Sequence, residues 1–349
     1  MADISRAVLA LAVALLLAAS GRAAPAAAQQ AAGPIYAAEV RGPVTAVTVG
    51  YLQRALALAE ASNAGALIIT LSNRGGVLAP MRLFAATIAQ ARVPVVVYVA
   101  PGIDSGAAGA LFLSAAHVSA MGPGSSFGIP APLAQVDAAL SQQTRDLVLD
   151  SVAHQLRTWN TERGRGAAWV DRAVRTGVVI DNQQASAASP PVVDLVAADR
   201  EQLLTLLDGR IVQLANGRRV QLATLGRTPT PAAPTLWEGL RMALADPTLV
   251  FILLVLGALA IYVELAIPGT TVFAGIGALL LAGALAGLLA LPVNGWALLL
   301  LLLAFALVGA EFFAPTHGAL AVGGIALLIV GGANLFDPLQ APGATLAGG

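Results

Sequence analysis

The sequence predicts an α/β domain followed by a helical membrane domain, and three observations carry that prediction. Strand-like apolar runs alternate with helical patterns over residues 35–200. Only two charged residues, Glu264 and Glu311, fall between Thr248 and Phe336. Charged residues make up 11% of the 349, against roughly 25% in an average soluble domain, while 57% are hydrophobic, so a wholly soluble globule is excluded. The same apolar content excludes a disordered chain, because there is ample surface to offset chain entropy.

The N-terminus reads as a secretory signal covering residues 1–28. Arg6 supplies the positive charge, Ala7 to Ala19 form a 13-residue apolar run, and Ala26-Ala27-Ala28 offers a small-residue cleavage site. The apolar run is short for a spanning helix, which needs about 20 residues. In the α/β domain, Ile35 to Val40 is a strand and Pro43 opens a helical pattern through Val47, Tyr51, Leu52, Leu56 and Leu58. Ala66 to Leu71 is a buried-strand run closed by Asn73-Arg74-Gly75-Gly76, a helix runs from about Pro80 to Ala91, and Val93 to Val99 is the next strand. Strand, helix and strand in this order imply parallel pairing.

Residues 201–247 are read as a hairpin and linker. Leu207 to Arg210, Val212 to Leu214 and the turn Asn216-Gly217 make the hairpin, and Pro229, Pro231 and Pro234 mark extended chain. Residues 248–336 divide into four apolar segments near 248–265, 271–291, 293–311 and 318–336, with 337–349 as a short tail. Glu264-x-x-x-Pro268 and Glu311-x-x-x-Pro315 repeat at an offset of 47 residues, the kind of duplication that inverted-repeat transporters use and that ordinary helical hairpins also show. No Lys or Arg follows Arg241, so loop charge does not orient the spans. A signal ahead of the α/β domain puts that domain on the extracytoplasmic side.

Charge and composition remove several chemistries. Net charge is zero, giving no basic surface for nucleic acid. There is no cysteine, which excludes disulfides and thiolate chemistry. All 19 basic residues are arginine, so no reaction here uses a lysine amine. Neither a metal constellation nor a cofactor motif is present; His317 stands alone, six residues from Glu311.

From Tyr98 onward the sequence carries an ordered set of motifs: Tyr98 to Gly102, Ala108-Gly109-Ala110, Ala115 to Val118 and Pro123-Gly124 through Gly128. Arg163-Gly164-Arg165, Trp169-Val170, Val192 to Val196 and Leu207-Asp208-Gly209 follow, then Glu264-x-x-x-Pro268-Gly269 and Glu311-x-x-x-Pro315-x-His317-Gly318. In this order the set resembles the NfeD family of membrane-bound, ClpP-class serine proteases, a resemblance spanning nearly everything from Ile35 to Phe336. It implies a ClpP/crotonase-like spiral of ββα units, followed by a four-helix transmembrane domain. It also implies partners of the stomatin/flotillin class, a role in membrane quality control, an extended peptide in the cleft and a homo-oligomer. The soluble β-barrel with which the family usually ends has no counterpart after Phe336.

The family's proteases use a serine activated by a lysine, since a serine hydroxyl needs a neighbouring base to become a nucleophile. Counting back from Ala108-Gly109 puts the nucleophile position at Ala107; counting forward from Pro101 gives Gly106. The lysine is expected at residues 144–147, where Arg145 is the one basic residue and stays protonated at any physiological pH. Both members of the dyad are missing, which predicts a degenerate protease. Gly75 and Gly76 match the glycine pair whose amides would form the oxyanion hole. Two other readings remain open. Ser105 could act as a displaced nucleophile with His117, read as lying on a helix, or with His154 as base. Alternatively the four spans could form a small channel, because carboxylates such as Glu264 and Glu311 are costly within a membrane.

Overall fold

The structure is a computed structural model that describes residues 29–30 and 33–336, apart from 74, 130–141, 268, 270, 292, 312 and 315. The proposed signal segment and the tail therefore lie outside the described residues.

The α/β domain is built on β2 (Ile35–Val40), α1 (Ala46–Ala61), β3 (Ala66–Leu71), α2 (Leu78–Ala89), β4 (Val95–Val99), α3 (Gly106–Ala115) and β5 (Val118–Met121). These strands, together with β8 (Leu195–Val196) and β11 (Thr230–Pro231), form one parallel sheet of order β11-β2-β3-β4-β5-β8. All six residues of β3 and all five of β4 are buried, as a sheet covered on both faces requires. The strand period of two divides them. Leu67, Ile69, Leu71, Val95 and Val97 join the core beneath α1, α2 and α3, whereas Ile68, Val96 and Tyr98 face α7 (Arg200–Leu207) and the hairpin of β9 (Ile211–Gln213) and β10 (Arg219–Gln221). The short strand β1 (Gln29–Gln30) adds to β10. A second ribbon pairs β6 (Ser126–Ile129) with β7 (Val178–Asp181). Between them in sequence run α4 (Gln142–Glu162) and α5 (Val170–Thr176), and α6 (Asn182–Ala187) follows β7.

One buried ion pair ties these layers together. Arg165, 4% exposed, donates to the Asp194 carboxylate through Nε and Nη2, the latter at 2.6 Å. It also donates to the carbonyls of Leu113, Ser114 and Ala116. These include carbonyls that the end of α3 leaves without intrahelical partners. Asp194 in turn accepts from the Ser119 amide and hydroxyl on β5.

Residues 201–247 hold more than a linker. Thr230 and Pro231 pair with Tyr36 and Ala37 as the edge of the main sheet, a place where proline's missing N–H is tolerated. Then α8 (Leu236–Leu244) starts in a capping box between Thr235 and Glu238. Glu238 is clamped to α1 by Arg54, with Nε 2.8 Å and Nη2 2.7 Å from its two oxygens. The guanidinium holds the Glu238 carboxyl down to about 2. A carboxyl whose pKa is depressed by folding stabilises above its ordinary value of 4.5 and loses that contribution as pH falls toward 2. Docking of α8 on α1 is therefore expected to survive titration from pH 7 to pH 5 and to weaken below pH 4. An Arg54→Ala variant should already show the weakened state at neutral pH, as read by proteolysis at residues 233–235.

Four apolar helices follow: α9 (Pro247–Ala266), α10 (Val272–Leu288), α11 (Gly295–Ala310) and α12 (Ala319–Ala333). They pack as two hairpins, α9 on α10 and α11 on α12. Among the described residues one helix, α9 at 20 residues, is long and apolar enough to cross a membrane; α10, α11 and α12 have 17, 16 and 15 residues. They are shorter than the apolar runs in the sequence because the turns at the hairpin ends use part of each run.

The repeat at 47 residues is structural. A Cβ on Gly277 would meet Ile261 Cγ1 at 2.8 Å and the Gly257 carbonyl at 2.9 Å. On Gly324 it would meet Val308 Cγ2 at 2.6 Å and the Ala304 carbonyl at 2.8 Å, each contact displaced by the same interval. A two-helix unit returns the chain to the side it left, so the second copy has the same orientation as the first. The duplication is thus tandem rather than inverted.

Candidate functional site

The C-terminal ends of parallel strands are where open α/β sheets gather their functional loops. Here residues 41–45, 72–77, 100–105 and 122–125 follow β2, β3, β4 and β5. The loop after β3 is held against the one after β2. The Val44 amide donates to the Gly75 carbonyl at 2.9 Å, and the Val77 amide donates to the Val44 carbonyl at 2.8 Å. This makes a one-residue parallel bridge between Val44 and Gly76, so the Gly76 amide points away from Val44. Asn73, 4% exposed, donates from Nδ2 to the same Gly75 carbonyl at 2.8 Å. Two donors fixing one carbonyl fix the whole peptide plane, and with it the direction of the Gly76 N–H. Gly75 has φ +132° and Gly76 has backbone atoms within 2.3 Å of where a Cβ would stand, so neither position accepts a side chain without moving the turn.

Ser105 precedes α3 and is fully buried. Its Oγ donates to the Ser126 carbonyl at 3.3 Å, and its amide donates to that same oxygen at 2.9 Å. Gly109 makes room for it: a Cβ there would lie 2.0 Å from the Ser105 hydroxyl and 2.6 Å from Phe127 Cβ. Gly106 has φ +49°, a conformation that costs an L residue about 1–2 kcal/mol. Ala107 lies within the helix, 1% exposed.

The candidate bases do not converge on this site. His117 is not on a helix, because α3 stops at Ala115 and His117 stands immediately before β5. Its Nδ1 accepts the Val95 amide at 3.2 Å, at the opposite end of β4 from Ser105, which is about 13 Å along the sheet. Burial, with Arg163 and Arg165 adding repulsion, pushes the imidazole down to about 3 and keeps it neutral. Its accepting lone pair is already used, and Nε2 is buried without a partner among the described residues. His154 is exposed on α4. Of residues 144–147, Leu147 is 65% exposed on the first turns of α4. Those turns lie ahead of the packing of Asn160 on Ser114 and of Ser151 against Arg82.

The two membrane carboxylates have a shared local role. Glu264 accepts the Thr271 amide at 2.9 Å, and Glu311 accepts the equivalent Gly318 amide at 2.8 Å. Glu311 also accepts from the Thr316 hydroxyl and the Leu320 and Ala321 amides. Each carboxylate thus reaches across its turn to the start of the next helix, where unpaired amides and the helix dipole favour negative charge. Thr271 and Gly318 both take left-handed φ values, +52° and +92°. Glu311→Gln keeps an acceptor but loses the charge that the helix start favours, so it is expected to lower the melting temperature of the second hairpin, read as a thermal shift in detergent.

Sequence reasoning missed the positioning role of Asn73 and the Arg165–Asp194 pair. A charged residue inside the apolar run Val192 to Val196 was the available signal for the second.

Residues 248–348 match the family model described as the NfeD integral membrane domain. The chain is 28% identical over 297 residues to a membrane-bound protease of Pyrococcus horikoshii, an alignment covering 84% of this chain and 67% of that protein. Among solved structures it is similar to a membrane protease specific for a stomatin homolog from Pyrococcus horikoshii, at a TM-score of 0.51 and 25% identity, over 61% of this chain and 99% of that one. A lysine-to-alanine variant of a membrane-bound stomatin-specific protease, in complex with a substrate peptide, matches at 0.51 and 26%, over 60% of this chain and 95% of that one. A ClpP-like α/β domain similar to that of these membrane proteases is thus followed by a segment that matches the NfeD integral membrane domain.

Proposed function

We propose that this chain is a membrane-anchored ClpP-fold protein that binds an extended peptide of a stomatin-class neighbour without cleaving it. It would act as a scaffold in membrane quality control. The observation that carries the reading is chemical: in 349 residues there is no lysine, and the resemblance puts the nucleophile position at Ala107 or Gly106, neither of them a serine. A hydroxyl without a base is a weak nucleophile. Ser105 does not substitute for the dyad in this reading, since its hydroxyl donates to a backbone carbonyl and His117 lies at the far end of β4. What is retained in this reading is the Gly75-Gly76 turn, whose fixed amide can donate a hydrogen bond to the carbonyl of a bound peptide.

Labelling of the purified full chain with a fluorophosphonate probe tests this. No labelling is expected; labelling at Ser105 would overturn it in favour of a working serine endopeptidase. In this reading the α/β domain lies on the extracytoplasmic side, with the four apolar helices in the membrane as two hairpins. A reporter fused after Leu225 is accordingly expected to be active only as an exported enzyme.

A further inference from the structure

We propose that α8 is an interfacial helix that lies on the lipid head-group layer and seats the α/β domain on the bilayer. At 100° per residue, Leu236, Leu240, Leu244 and Trp237 fall within an arc of about 100°, the width of an apolar stripe that covers a partner. Glu238 and Met242 lie on the other side of the helix. That other side is occupied: Glu238 is held by Arg54 of α1, and Met242 packs against the domain core. The apolar arc is open, with Leu236 96%, Trp237 67% and Leu240 48% exposed.

Lipid is the occupant because this face continues the apolar surface of the membrane helices. Asp246 caps α9 two residues after α8 ends, so the spanning helix leaves directly from it. The last residue of α8 also touches the bundle, since a Cβ on Gly287 near the end of α10 would lie 2.2 Å from the Leu244 carbonyl. The same end of the bundle carries the start of α9, the ends of α10 and α12 and the start of α11, as the contact of Phe251 with Gly332 and the bond from the Asn294 amide to the Leu335 carbonyl require. Leu289, 82% exposed, and Trp296, 51% exposed, lie there too. Trp296, at the start of α11, stands at this end of the bundle, and exposed indole rings such as those of Trp237 and Trp296 favour a membrane–water boundary. The exposed Arg241 flanks the arc, where its guanidinium can reach lipid phosphates while its stem follows the apolar face. Because Arg54 and Ala233 tie α8 to α1, the depth of the helix sets the height of the strand ends above the bilayer.

The chain's lack of cysteine makes the test direct. Leu236→Cys and Leu240→Cys, with Glu201→Cys on α7 as an aqueous reference, are each labelled with a nitroxide in the full chain. The labelled chains are reconstituted into phosphatidylcholine–phosphatidylglycerol vesicles. Collision with oxygen, which partitions into lipid, is compared with collision with a water-soluble nickel chelate. The oxygen-to-nickel ratio at 236 and 240 is expected to be severalfold higher than at 201. A ratio equal to that at 201 would overturn the proposal by placing the face in water. Dipolar broadening between labels on separate chains would overturn it by showing that a second copy covers the face.

Discussion

Arg165→Ala is expected to destabilise the α/β domain by about 3–5 kcal/mol, enough to unfold a marginal domain at growth temperature. The size follows from what the guanidinium leaves behind. Its side chain is 2% exposed, and removing it strands the Asp194 carboxylate together with the carbonyls of Leu113, Ser114 and Ala116. A lysine at this position keeps the charge but lacks the planar fork that serves Asp194 and the helix end together, so Arg165→Lys should recover little. Asp194→Ala should cost a similar amount by leaving a buried cation unpaired. Denaturant unfolding followed by the fluorescence of the buried Trp159 and Trp169 measures all three. Near-native stability of Arg165→Ala would contradict the role given to this pair.

The second large effect concerns chemistry. Ala107→Ser alone should give no peptide cleavage, because no lysine exists to take the hydroxyl proton. Combining it with Leu147→Lys or Arg145→Lys should raise cleavage by up to about 10²–10⁴-fold over the single variant, the range of positioned acid–base assistance. Leu147 is suited to the graft because its side chain is 65% exposed, so the substitution removes no buried contact. Clear cleavage by Ala107→Ser alone, measured with a fluorogenic peptide, would mean that a base is already in place.

The long central elements were legible because their patterns are local. Residues 66–71 are apolar but for Thr70 and 95–99 are an unbroken run, and the Asn216-Gly217 turn announced the β9–β10 hairpin. The two-residue strands β1, β8 and β11 were not legible, since pairing with distant chain, not local propensity, makes them strands. His117 was misplaced because the alanine-rich segment from Ala107 to Ala116 reads as uninterrupted helix, whereas the chain turns at Ala116 to start β5. The helix α8 was hidden in what reads as a linker, although Thr235-x-x-Glu238 is a capping signature. At the site, the glycine pair was readable as a motif, but the Asn73 bond that orients it joins residues whose spacing gives no signal.

Glu264 and Glu311 show how a costly residue type acquires a bland explanation. Each satisfies helix-start amides across a turn, at positions related by the same interval as the glycine contacts of the two hairpins. A charge used in this way needs no transported ion to account for it.

Binding without cleavage is measured by incubating the unmodified full chain, reconstituted in vesicles, with a stomatin-class membrane protein and following that protein by mass spectrometry. The partner is expected to be retained on the vesicles and to remain intact. Cleavage of the partner by this lysine-free chain, abolished by Ser105→Ala, would contradict it.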